Sequence, residues 1–168
     1  DITIFFESYF PDAVDLIPDL IEEYNSNPIG KLATVYCDRF HFADKALIFG
    51  DAAHAIVPFF GQGMNASFQD CTVIDSLIKR YSGSWNDVFS EFSNIHVPNG
   101  HAIANMALEN YIEMRDSVND PIFKKRREME FELEKKFSNR FIPRYSMVSF
   151  HDLPSVSYTH LRAHETYR

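Results

Sequence analysis

The run Gly50 to Asn65, GDAAHAIVPFFGQGMN, constrains this chain more than any other stretch. An aliphatic segment, Ala46 to Phe49, predicts a short buried strand that delivers a Gly-Asp pair. Pro58 then leads into the Gly61-Gln62-Gly63 turn, and a helical pattern opens at Met64. In open α/β sheets, ligands sit beyond the carboxyl ends of strands and at the starts of the helices that follow. A helix start offers free N–H groups and positive dipole potential, which suit an anionic or electron-rich ligand. The run therefore reads as a nucleotide or cofactor site.

The rest of the chain fits one globular α/β assembly, α+β within this span. Phe10 to Glu23 has helical spacing, and Leu32 to Phe42 alternates loosely and predicts a strand. Met64 to Tyr81 predicts a helix with Phe68, Cys71, Ile74, Leu77 and Ile78 on its inner face. Ser82-Gly83-Ser84 is a short linker before a smaller helix, Trp85 to Phe92. Pro98-Asn99-Gly100 opens a longer helix to about Val118, with Ile103, Ala107, Tyr111, Met114 and Val118 as its apolar stripe. Asn119-Asp120-Pro121 breaks it, and a charged helix follows from Ile122 to about Ser138. In that helix Lys124–Glu128, Arg126–Glu130 and Glu132–Lys136 are opposite-charge neighbours. Pro143 precedes a short extended piece, Tyr145 to Phe150. The expected organisation is residues 1–45 as the end of one sheet and the return from it, 46–81 as the cofactor segment, and 82–153 as a helical region. Residues 154–168 form a tail with no apolar period, which reads as non-native from Ser157 onward.

A net charge of −8 argues against a general nucleic-acid binder, which needs a basic face to neutralise phosphates. Cys37 and Cys71 have no CxxC or metal spacing and read as reduced, structural residues. His160 and His164 stand four apart, but no third ligand supports a metal site. No stretch approaches the ~18 apolar residues of a membrane span. There is no nucleophile elbow, P-loop or zinc pattern either.

GDAAH followed by P-x-x-G-Q-G-M-N resembles the second FAD-binding motif of the flavin-dependent aromatic hydroxylases. Three motifs narrow the resemblance to the kynurenine 3-monooxygenase family: PFFGQGMN at Pro58 to Asn65, NYIEMR at Asn110 to Arg115, and FIPRYSM at Phe141 to Met147. The likeness covers roughly Ile2 to Leu153. It implies the C-terminal part of a Rossmann-like FAD-binding monooxygenase. It also implies FAD as cofactor, NADPH as co-substrate, and hydroxylation of L-kynurenine by O2 through a flavin C4a-hydroperoxide. In that family the Asp matching Asp51 accepts hydrogen bonds from ribityl hydroxyls, with Gly50 letting the backbone pass close. Pro58, Gly61, Gln62, Gly63, Met64 and Asn65 would shape the turn that faces the flavin N1–C2=O edge. Phe59 would lie against the substrate ring. Asn110 and Tyr145 match residues that bind the amino-acid carboxylate of kynurenine. No residue is singled out as catalytic. His54 is expected to make a structural hydrogen bond near the cofactor, and Glu113 and Arg115 to be structural.

The chain departs from the family pattern in one respect. None of its six glycines, Gly30, Gly50, Gly61, Gly63, Gly83 and Gly100, form a GxGxxG fingerprint. A C-terminal fragment that does not retain FAD alone and is inactive by itself is therefore expected. The alternatives are a flavin monooxygenase acting on another aromatic acid, or a truncated non-catalytic chain. The resemblance implies soluble bacterial members and eukaryotic members held at the mitochondrial outer membrane by a C-terminal anchor. A cytoplasmic bacterial-type protein is expected, and the sequence leaves the oligomeric state open.

Overall fold

The computed structural model describes residues 1–138, 140–151 and 153–157. The predicted tail from Ser157 and the His160–His164 pair therefore fall, Ser157 apart, outside the described residues. The chain divides into two compact units, residues 1–32 and the remainder from Ala33 onward.

In the first unit, α1 (Ile2–Tyr9), α2 (Pro11–Val14) and α3 (Leu20–Ser26) replace the single helix expected over Phe10 to Glu23. Pro18 is the reason for the break: it has no N–H to donate and disfavours helical backbone at the residue before it. Asp1 caps α1 by accepting the Thr3 N–H at 2.9 Å. Phe6 joins α1 to α3 through an edge-on contact with Tyr24, with ring centroids 6.2 Å apart.

The second unit is mostly helical, with one small antiparallel sheet, β1 (His41–Phe42) and β2 (Ala46–Leu47), in the register His41 to Leu47 and Phe42 to Ala46. The strand expected over Leu32 to Phe42 is realised only at its last two residues, because a strand exists only where a partner supplies ladder bonds. Val35, for instance, donates to the Ala55 carbonyl at 2.9 Å instead. A short helix, α4 (Asp51–His54), follows the Gly-Asp pair, and α5 runs from Gly63 to Arg80, one residue from the expected start and end. The buried face of α5 is Asp70 and Leu77, flanked by Val73 and Ile74. Phe68 and Cys71, expected on that face, are exposed.

The two helices expected on either side of Pro98 are one, α6 (Trp85–Ile112), with the proline inside it. An interior proline costs a helix about 3 kcal/mol. Burial on one continuous stripe offsets that here: Phe92, His96, Gly100, Ile103, Ala107 and Asn110 recur every three or four residues and are all buried. The stripe ends before a π-helical segment, Glu113–Ser117, and Tyr111 at the end of α6 and Met114 and Val118 after it emerge towards solvent. α7 (Pro121–Lys136) begins under an Asp120 cap, and Arg126 pairs with Glu130 at 3.0 Å. The extended piece expected over Tyr145 to Phe150 is instead α8 (Arg144–Phe150). Helical turning brings both Met147 and Val148 into one apolar cluster with Ile103 and Met106, which an alternating strand would not allow.

The main core gathers Phe40, Ala53, Leu77, Val88 and Phe92. Gly100 lets α6 approach α4 closely: a Cβ there would lie 3.1 Å from the His54 Cβ and 3.5 Å from the Phe40 ring. His54 cannot swing aside, since its ring is tied to Asp70 at 2.6 Å. Gly100→Ala should therefore destabilise the protein by about 1–3 kcal/mol. A urea midpoint equal to that of the wild type would contradict this packing.

Candidate functional site

The cofactor candidates lie on two adjoining pieces of backbone. The first is the turn at Gly50, whose φ of 59° and ψ of −145° belong to a region that only glycine occupies comfortably. A Cβ at Gly50 would also press on the Ser67 hydroxyl, at a separation of 3.2 Å. The turn leaves Asp51 exposed at the start of α4. The second piece is the Pro58 to Asn65 bend. The Gly61 N–H donates to the Pro58 carbonyl at 3.0 Å, and Gly61 takes a φ of 66°. Gln62 is the N-cap residue of α5 but no side chain caps the helix start. The Gln62 and Asn65 side chains bond each other at 2.8 Å, and Met64 is exposed. A Cβ at Gly61 would meet no protein atom.

These features fit an FAD. An exposed carboxylate stands at a strand-to-helix turn, and an uncapped helix start lies behind a bend with bare backbone. The first three N–H groups of such a helix have no intrahelical partner and suit an electron-rich edge. A cavity of about 490 Å³ opens beside this helix start, lined among others by Gln62, Asn65, Gln69, Ile103 and Val148.

The substrate candidates also converge. Asn110 is buried on the α6 stripe, and its amide N–H donates to the Phe59 carbonyl at 2.8 Å. The buried amide thus finds the partner its burial demands, and it ties the Phe59–Phe60 step to α6. Phe59 packs on Tyr111 with ring centroids 4.6 Å apart, and Phe60 lies 6.0 Å from the half-exposed Tyr145 ring. Phe59, Asn110 and Tyr145 do not line the large cavity. Glu113 serves structure: it pairs with Arg127 at 3.0 Å and Arg144 at 3.4 Å, joining α7 and α8 to the end of α6. Arg115 pairs with its neighbour Asp116 at 2.7 Å.

Sequence reasoning missed Asp70 and His96. Asp70 is 1% exposed. It accepts the Gly50 N–H at 2.7 Å and lies 2.6 Å from Nε2 of His54 and 2.9 Å from Nδ1 of His96. The structural hydrogen bond expected of His54 is thus to this carboxylate. Burial opposes the charge on each group. On Asp70 the donors His54, His96 and Gly50 outweigh it, holding the carboxyl well below its usual range. On His54 the hydrogen bond and attraction of Asp70 outweigh it, raising the imidazole above its ordinary value. A charge on an apolar helical stripe, Asp70 in line with Val73, Ile74 and Leu77, was the signal available in the sequence.

An FAD binding domain family matches residues 16–87, which includes the Gly50 turn and the start of α5. The chain is 49% identical over 150 residues to the kynurenine 3-monooxygenase of Myxococcus xanthus, covering 89% of this chain and 32% of that protein. It is 46% identical over 154 residues to that of Cytophaga hutchinsonii, covering 91% and 34%. With that of Dictyostelium discoideum the figures are 41% over 162 residues, 89% and 35%. The chain therefore spans about a third of the length of the curated relatives it matches. Among the described residues no helix is long and apolar enough to cross a membrane. Across nine tenths of its residues the chain is thus similar to one segment of proteins named kynurenine 3-monooxygenase.

Proposed function

We propose that the full-length protein carrying this segment is an FAD- and NADPH-dependent monooxygenase that converts L-kynurenine to 3-hydroxykynurenine with O2. The observation that carries this reading is the junction of the Gly50–Asp51 turn with the uncapped start of α5, in a chain 49% identical to a protein named kynurenine 3-monooxygenase. Bound FAD supplies the redox chemistry, taking up reducing equivalents from NADPH and making oxygen from O2 available for transfer.

The residues of this chain bind and orient. The Asp51 carboxylate accepts hydrogen bonds from ribityl hydroxyls. The backbone N–H groups of Gly63, Met64 and Asn65 stabilise negative charge on the reduced flavin edge. Pro58, Gly61 and Gln62 hold that turn in shape. Phe59 offers an apolar face to the kynurenine ring. Asn110 fixes Phe59 and contributes to the amino-acid end of the substrate, where Tyr145 supplies a hydroxyl. The aniline nitrogen of kynurenine enriches its ortho ring carbon in electrons, so transfer there is electrophilic and needs no strong protein base. Holding the ring close and excluding water are what remains for the protein.

Kinetics of the full-length enzyme test the assignment. Asn110→Ala and Tyr145→Phe should each raise KM for L-kynurenine by about tenfold, the loss of one hydrogen bond to a charged group. NADPH oxidation stimulated by other aromatic acids and not by L-kynurenine would move the reading to a different substrate.

A further inference from the structure

Asp70 lies outside the motif run, and nothing in the chemistry above uses it. A carboxylate this deeply buried persists only where several donors converge. Its neighbours come from three places: the N–H of the positive-φ turn at Gly50 and Nε2 of His54 on α4 both bond Oδ2, and Nδ1 of His96 on α6 lies 2.9 Å from Oδ1. The carboxylate itself rides on α5, two turns beyond the Gln62–Asn65 start. One side chain therefore links the Gly50–Asp51 turn to the helix that begins at the GQGMN bend. His96 is held in turn by stacking on Phe92, with rings 4.5 Å apart and 15° from parallel. The bracing reaches into the main core.

We propose that Asp70, braced by His54 and His96, is the positioning residue that sets the Gly50–Asp51 turn against the start of α5, so that both engage one FAD. This rests on the flavin reading above. The Gly50 φ/ψ pair lies in a region open to glycine, whose many accessible conformations leave the turn to be fixed by an outside partner. The 2.7 Å bond from its N–H to Asp70 supplies that partner. Without it Asp51 and the α5 N–H groups no longer keep a common geometry.

Titration of the full-length apoprotein with FAD tests this, using Asp70→Asn and His96→Gln. In Asp70→Asn an amide N–H faces one of the donors. His96→Gln touches the turn only through Asp70. Folded Asp70→Asn should bind FAD about tenfold more weakly, and His96→Gln about threefold. The reduction potential of the remaining bound flavin should move to more negative values, since the α5 N–H groups stabilise the reduced form less well. Hydrogen exchange in the apoprotein should show the Gly50 amide protected in the wild type and unprotected in Asp70→Asn. Loss of fold stability alone moves neither the affinity of folded molecules nor the potential. An FAD affinity within about twofold of wild type in either folded variant overturns the proposal, and should Asp70→Asn not fold, His96→Gln decides. Wild-type protein that binds no FAD overturns the flavin reading itself, an outcome distinct from wild-type binding with unaffected variants.

Discussion

Replacing Asp70 by alanine is expected to lower the unfolding free energy by about 3–5 kcal/mol, the cost of breaking a buried ion pair from one side. Truncation strands the Gly50 N–H and the His54 ring, both bonded to the carboxylate, and removes the charge 2.9 Å from His96. His54 and His96 are themselves buried, so only water in the small cavity beside them could stand in for the lost acceptor. The pH dependence follows from the two shifts. The Asp70 pKa is lowered on folding, so its contribution is present above the unfolded value of about 3.9 and is lost as pH falls through the folded value. The His54 pKa is raised, so its contribution is present below about 6.5 and is lost as pH rises through the folded value. The stability gap between wild type and Asp70→Ala should therefore be widest between about pH 4 and 6.5 and narrow on either side. Urea unfolding across this range checks it. A gap that is flat with pH would mean that the loss is one of packing alone.

Phe92→Ala is expected to cost a similar amount, about 3–5 kcal/mol, for a different reason. Phe92 is fully buried at the centre of the main core, 6.2 Å from the Phe40 ring and stacked on His96. Its removal leaves a void that the surrounding helix cannot close, because Gly100 already brings α6 as near to α4 as the His54 side chain allows. The void also frees one face of the His96 ring. Part of the loss should therefore be shared with Asp70, and the Asp70→Ala, Phe92→Ala double variant should lose less than the sum of the two. Full additivity in denaturant titrations would show that the core and the carboxylate are independent.

The sequence was most legible where local chemistry fixes the backbone. The Gly-Asp turn, the GQG bend and the helix behind it are specified by residues close in the chain, and α5 begins within one residue of its expected place. The partner of Asn110 was not legible: its amide meets the Phe59 carbonyl, far away in the chain. Other features depend on contacts distant in the chain. Pro98 reads locally as a helix start, yet burial from Phe92 to Ile103 carries the helix through it. Tyr145 to Phe150 reads as extended after Pro143, and becomes helical because Met147 and Val148 share one apolar partner, Ile103 with Met106. Asp70, His54 and His96 are separated by 16 and 26 positions, and only the packing of α4, α5 and α6 brings them together. No local spacing announces such a cluster.

The most direct measurement of the central claim is the fate of labelled oxygen. The full-length protein is supplied with FAD, NADPH, L-kynurenine and ¹⁸O₂, and the product is examined by mass spectrometry. The expected product is 3-hydroxykynurenine carrying one ¹⁸O on the ring carbon ortho to the aniline nitrogen. NADPH consumption with all the label in peroxide or water, and L-kynurenine recovered unchanged, would contradict it.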